Sequence, residues 1–203
     1  MRMPDVEGQL RLHASTERAA HATEDGLAMT IEYLHASRFG NGAMAAERFK
    51  EQMAVKGVDV DIRHIQEVRA TELSPADVYV FSSPGRFGKP IRGMRRFLKK
   101  VKLPAGTRYA ILTTEAMPKP DKKTGRLPTE EELAKYQRVR PIMNELLHSK
   151  GLVRVAEDKI HVTGLKGPLE AGWETKVDAF AAALCASLGG GAAAPARAPR
   201  EAA

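Results

Sequence analysis

Cysteine is almost absent: Cys185 is the single one in 203 residues, which excludes an internal disulfide framework and a cysteine-rich zinc site. With so little sulfur chemistry, the expected compartment is a reducing one, the cytoplasm. No apolar run approaches the roughly 20 residues that a membrane-crossing helix needs, so no membrane span is expected. The first residues are studded with charge and lack an apolar stretch, so no secretory signal is read there. Aromatic residues make up only 5% of the chain. None is interleaved with basic residues as on a single-strand-binding surface, so nucleic acid is not the expected partner despite the +7 formal charge. The sequence also contains no Gly-x-x-x-x-Gly-Lys-Ser/Thr, which removes a P-loop nucleotidase.

What is present is enough for one good-sized domain, with 43% hydrophobic and 28% charged residues. Its composition shifts at both ends. Residues 1–27 scatter their apolar positions without period and read as a flexible extension; translation starting at Met29 is a second explanation for them. Residues 189–203 open with Gly189-Gly190-Gly191, continue in Ala, Pro and Arg, and read as a disordered tail. The expected folded domain is 28–188, and it contains no internal repeat.

Inside that window strand and helix patterns alternate. Strand one is expected over 29–34. A helix over 41–56 carries Ala45, Phe49 and Met53 on one stripe and stops at Gly57. Val58, Val60 and Ile62 alternate with Asp59, Asp61 and Arg63, as on an edge strand with one wet face. The unbroken apolar run Val78-Tyr79-Val80-Phe81 suits a central strand. The pattern then gives a helix over 91–101 and a strand over 108–112. A long helix capped at Thr129-Glu130-Glu131-Glu132 follows, kinked or split by Pro141. A fifth strand is expected over 152–155 or 159–162, or over both with a turn between, and a last helix over 169–188. The series βαβαβαβαβα predicts an α/β three-layer sandwich whose five-stranded parallel sheet has helices on both faces.

Ligands of such sheets bind beyond the carboxyl ends of the strands, at the switch in strand order. After strand one come Ser37, Arg38, Phe39, Gly40, Asn41 and Gly42, a small glycine-containing loop feeding a helix. Its backbone amides and the positive helix end suit a phosphate, and Ser37 and Asn41 add side-chain donors. A plain strand–helix turn is the alternative. After strand three come Ser83, Pro84, Gly85, Arg86, Phe87 and Gly88, where Phe87 offers a flat apolar face and Arg86 a planar cation. The two loops together suggest a flat heterocycle bearing a phosphate tail.

On these residues the sequence resembles the flavodoxin superfamily. Ser37, Gly40 and Asn41 match its Ser/Thr-x-Thr-Gly-Asn-Thr phosphate loop, and Ser83, Pro84 and Gly88 match its Gly-Ser-Pro-x-x-x-Gly ring loop. Arg86-Phe87-Gly88 is most similar to the tryptophan-repressor-binding-protein branch of FMN-dependent NAD(P)H:quinone oxidoreductases. The resemblance spans nearly all of 28–188, including Gly-Pro-Leu-Glu-x-Gly-Trp ahead of the last helix. It implies strand order 2-1-3-4-5, FMN as cofactor, and electron or hydride transfer, with a quinone-like acceptor in that branch. The implied cofactor-binding residues are those of both loops and Thr114 after strand four.

The chain departs from the family pattern in three places. Phe39 and Gly42 replace threonines of the phosphate loop. Gly85 and Arg86 stand where a Thr and an aromatic are common, and Thr113-Thr114-Glu115-Ala116 lacks glycines. A relative that has lost flavin and serves as an interaction module therefore stays open beside the redox reading.

Gly40-x-Gly42-x-x-Ala45 with Asp61 also satisfies a dinucleotide fingerprint, but five residues separate Leu34 from Gly40, too many for its tight turn. A receiver domain would need a carboxylate cluster after strand one and an Asp after strand three, and has neither. From Arg86 to Lys102 there are eight basic residues and no acid. This face reads as a solvated helix surface, or as a docking patch for NAD(P)H phosphates or an acidic redox partner. The loop from Glu115 to Pro128 is expected over the ligand crevice. His35 and His64 receive no acid–base role, and Trp173 and Cys185 are expected in the core.

Overall fold

The structure is a computed structural model and describes residues 29–189; the expectations for 1–27 and for the segment beyond 189 lie outside the described residues. Its elements are β1 (Thr30–His35), α1 (Asn41–Ala54), β2 (Asp59–His64), β3 (Val78–Arg86), β4 (Lys89–Pro90), α2 (Arg92–Lys100), β5 (Arg108–Ala116), α3 (Glu130–Tyr136), α4 (Val139–His148), β6 (Val153–Val162) and α5 (Trp173–Gly189). Five strands form a parallel sheet in the order β2-β1-β3-β5-β6, and β4 pairs only with β3. In strand-only numbering this is the expected 2-1-3-4-5.

Alternate residues of each central strand face opposite sides, because the side-chain period of a strand is two. Ile31, Tyr33, Val78, Val80, Ala110 and Leu112 pack with α1 and α5 around Phe49, Met53, Phe180 and Leu184. Tyr33–Phe49 and Phe49–Phe180 ring centroids lie 5.4 and 5.6 Å apart, which ties sheet and both helices together. Leu34, Tyr79, Phe81, Tyr109 and Ile111 face the other way, onto Met94, Phe97 and Leu98 of α2 and Met143 and Leu147 of α4. Fully burying one such side chain stabilises by about 1.5–3 kcal/mol. Trp173 and Cys185 are only partly buried and pack at the margin of the first core. Among the described residues no helix is long and apolar enough to cross a membrane.

Four details differ from the sequence pattern. The alternating series calls for a helix between the second and third strands, whereas residues 65–77 form turns and bends. Pro75 cannot sit in a helix interior, and the segment instead packs Ile65, Val68, Leu73 and Ala76 directly onto the second core. Second, β3 and β5 run on to Arg86 and Ala116. Ser82, Ser83, Thr113, Thr114 and Glu115 are therefore buried strand residues, although their polarity reads as loop. Third, the long helix breaks at Gln137–Arg138, and Pro141 falls in the first turn of α4, where its missing amide hydrogen costs nothing. Fourth, β6 is one continuous strand, and α5 starts at Trp173.

The capping box is present in full: Thr129 accepts from the Glu132 amide and the Glu132 carboxylate accepts from the Thr129 amide. Arg126 donates to the same carboxylate at 2.7 Å. These bonds, the Arg126 contact first, hold the Glu132 carboxyl down at about 2, against an ordinary value of 4.5. A depressed folded-state pKa contributes stability above the unfolded value that is lost as pH falls through the folded one. Lowering the pH from about 5 to about 2 is thus expected to lower the protection of the Arg126–Glu132 amides, relative to their intrinsic exchange at each pH, before that of the sheet, as read by hydrogen-exchange mass spectrometry.

Candidate functional site

Three loops meet beyond the carboxyl ends of the strands. The first joins β1 to α1. Gly40 takes the left-handed conformation, φ 86°, at the N-terminal boundary of α1, and has no side chain with which to cap that end. The first turn contains no acid, so the positive helix end is not neutralised within its own helix. Ser37 accepts the Gly42 amide at 3.1 Å and keeps its own hydroxyl hydrogen to donate outward. No acceptor among the described residues takes the amide hydrogens of Gly40, Asn41 or Ala43. A Cβ at Gly42 would come within 3.2 Å of the Ser37 Cβ. The threonine common at that position in the family pattern would therefore press on Ser37, and glycine is the residue that keeps the turn tight.

His35, at the end of β1, props this loop from beneath. Its Nδ1 accepts the Ser37 amide at 3.4 Å. Burial holds its imidazole below the ordinary 6.5, and the neighbouring His64 pushes in the same direction. Asn41 differs from the sequence expectation: one of its amide hydrogens goes to the Lys166 carbonyl at 3.1 Å. That bond ties the loop between β6 and α5 to the start of α1.

The second loop is a hairpin. Arg86 pairs with Lys89 and Gly85 with Pro90, antiparallel, which leaves Phe87 and Gly88 as a two-residue turn. Both have positive φ, 51° and 69°, as a type I′ turn requires. Phe87 is the one described residue other than glycine with positive φ. A left-handed conformation there costs about 1–2 kcal/mol, and its ring is left 89% exposed. The Arg86 guanidinium lies 5.4 Å from the Phe87 ring centre, and Arg38 stands 5.6 Å from that of Phe39 in the first loop. Each loop thus carries one cation–aromatic pair.

The third wall is the α3–α4 junction, which sequence reasoning missed. The Gly88 carbonyl accepts the Arg138 amide at 2.7 Å, and a Cβ at Gly88 would fall 1.7 Å from the Tyr136 carbonyl oxygen. A Cβ at Gly85 would lie 2.8 Å from a Val139 methyl. The hairpin is therefore seated backbone-to-backbone on that junction. Beneath it, Pro84 pairs with Thr114, which is buried in β5 and forms floor rather than rim. Next to it the buried Glu115 accepts from Thr113 at 2.7 Å and meets Arg140 at 3.6 Å.

Exposed large apolar side chains gather at this end. Phe39, Phe87, Met117, Leu127, Tyr136 and Leu165 are all exposed on loops or helix ends beyond the strands' carboxyl ends.

Similarity to solved structures matches this layout. Oxidised flavodoxin 2 from Bacillus cereus superposes with TM-score 0.58 at 19% identity, over 77% of this chain and 98% of that one. A flavodoxin from the domain Archaea gives TM-score 0.56 at 16% identity, over 79% and 99%. The chain has a flavodoxin-like fold. Rubredoxin oxygen:oxidoreductase from the anaerobe Desulfovibrio gigas also matches, with TM-score 0.56 at 14% identity, over 78% of this chain and 37% of that one. No protein-family model and no curated protein matches the chain.

If strain at Phe87 is held for display, removing it should stabilise the fold. Phe87→Asn, which tolerates the left-handed region, is expected to raise unfolding stability by about 1 kcal/mol. Gly88→Ala, which drives a Cβ into backbone, is expected to destabilise by more than that. Urea unfolding followed by circular dichroism reads both.

Proposed function

We propose that the protein binds FMN at the carboxyl ends of β1, β3 and β5 and works in electron or hydride transfer. The observation that carries this reading is Phe87, 89% exposed in the left-handed region on a hairpin pinned from behind. Strain kept at an exposed aromatic is explained by something that stacks on it. The free amides at the start of α1 and the Ser37 hydroxyl support a phosphate site in the neighbouring loop. The residues of this chain fit such a group.

In this reading the free amides of Gly40, Asn41 and Ala43 and the Ser37 hydroxyl hold the phosphate, Gly42 keeps the turn tight, and the Asn41 side chain keeps the loop closed against the segment after β6. Arg38 adds positive charge, and Phe39 covers the ribityl side. Pro84, Gly85 and Gly88 set the hairpin, Phe87 faces the ring, and Ser83 and Thr114 form the floor. FMN supplies the redox chemistry, and the protein supplies position and electrostatics. Arg86 places a cation beside the ring and favours uptake of negative charge there. The similar structure named as an oxidised flavodoxin supports a redox role. NAD(P)H as donor and a quinone-like acceptor follow from the branch that Arg86-Phe87-Gly88 resembles, and the basic face from Arg86 to Lys102 suits NAD(P)H phosphates or an acidic redox partner. A reducing cytoplasmic setting agrees with such chemistry.

The test is a titration of the full chain with FMN, followed by quenching of flavin fluorescence. One-to-one binding is expected, weakened about two- to tenfold by Phe87→Ala, since stacking on an aromatic is worth about 0.5–1.5 kcal/mol. Arg86→Ala is expected to lower the midpoint potential of the bound flavin. Absence of saturable binding would leave the fold as an interaction module. An unchanged potential would remove Arg86 from the ring's surroundings.

A further inference from the structure

The crossover that lacks its helix leaves a recess of about 820 Å³ between the 65–71 segment and α2. We infer that this recess is a second ligand site, taking an adenosine that carries two or more phosphate groups. The volume falls within the roughly 300–1,000 Å³ of small-molecule sites. It is lined by apolar side chains, Ile65, Val68, Ala70, Ile91 and Phe97, the last two at the start and on the inner face of α2. Such a lining suits a base.

The remaining lining mixes neutral polar groups, Ser37, Gln66 and Thr71, with cations. Arg38, Arg69, Arg96 and Lys100 surround the recess together with His64, and no Asp or Glu lines it. Arg69 has Glu72 at 3.4 Å, with both side chains largely exposed, so that pair holds it only weakly. Among the described residues Arg38, Arg96 and Lys100 have no carboxylate partner. Cations gathered without counter-charge around an apolar hollow concentrate a positive potential there. The helix adds to it: Ile91, at the boundary of α2, gives its first turn no side-chain cap, and Gly93 of that turn lines the recess. A small inorganic anion would leave the apolar lining unused, and an uncharged nucleoside would leave the cations unanswered. A phosphorylated adenosine uses both.

Two sources share that chemistry: a free nucleotide, or the adenosine end of a nicotinamide dinucleotide. The dinucleotide source rests on the donor reading proposed above, and the free-nucleotide source does not. Ser37 and Arg38 of the first loop also line the recess, so the variants below are placed on α2, away from that loop.

Isothermal titration of the full chain with 2′,5′-ADP, ADP, NADPH, adenosine and pyrophosphate tests it, with and without FMN. One-to-one binding of at least one of the phosphorylated adenosines is expected, weakening as salt rises, and adenosine is expected not to bind. The double variant Arg96→Ala/Lys100→Ala should lose at least tenfold in affinity. Gly93→Leu gives a second reading, because a Cβ at 93 meets only the Ile65 Cδ1, at 3.6 Å, and a longer side chain fills the recess without a backbone clash. Both variants should bind FMN as the parent does, which separates this site from the redox reading. NADPH binding more tightly than either ADP assigns the dinucleotide source; ADP binding as tightly assigns the free nucleotide, and either outcome supports the site. The proposal is overturned by no binding of any phosphorylated adenosine, by binding that the variants leave intact, by competition with FMN, or by pyrophosphate binding as tightly as the nucleotides.

Discussion

The pairing of β3 along both of its edges is the constraint on which the other parts depend. Ile31–His35 of β1 align with Val78–Ser82 on one side, and Arg108–Thr114 of β5 align with Val78–Pro84 on the other. The first four residues of β3, apolar on both faces, anchor the two cores. The last five carry the ladder past the apolar cores, to where the α3–α4 junction covers it. A strand that projects in this way has to end in something that satisfies its backbone, and here it folds back as the β3–β4 hairpin. The Gly88 carbonyl then receives the Arg138 amide, so the same projection fixes where the α3–α4 helix breaks. The exposed ring of Phe87 is a consequence of how firmly that hairpin is seated.

The first loop obeys a different constraint, economy of space. Gly42 leaves no room for a Cβ without pressing on Ser37, and Gly167 would crowd Asn41 at 3.0 Å. Both glycines let backbone stand where side chains would otherwise be, so amides rather than side chains face the crest. A phosphate is bound well by such a surface, because its charge is spread over several oxygens and the amide dipoles are already oriented. The missing threonines of the family pattern thus remove hydroxyl donors but leave the backbone cradle, and Ser37 carries the side-chain contribution.

The strands, most of the helices and the two-faced core were legible because period-two and helical-period patterns report burial directly, whereas strand order came from the family resemblance. The 78–81 run and the stripe at Ala45, Phe49 and Met53 are of that kind. The extension of β3 and β5 was not legible, because Ser82, Ser83, Thr113 and Glu115 are polar yet buried through strand pairing and, for Glu115, through Thr113 and Arg140. Nor was the helix-free crossover, since alternation supplies an expected helix by analogy and only Pro75 argued locally against it. The two loops of the site were readable as glycine and proline punctuation. The α3–α4 junction behind them was not, because its role depends on the backbone of Tyr136 and Arg138 and leaves no mark in residue type. The basic recess draws Arg38, Arg69 and Arg96 from three separate segments, which no local motif joins.

The central claim is that a single flavin is cradled where these loops meet. Amide chemical shifts of the labelled full chain, recorded before and after one equivalent of FMN, test it most directly. The account predicts shifts concentrated at 37–43, 83–88, 114–117 and 163–168, with α2 and the 65–71 segment little changed. Shifts centred on α2 and that segment, or none at all, would contradict it.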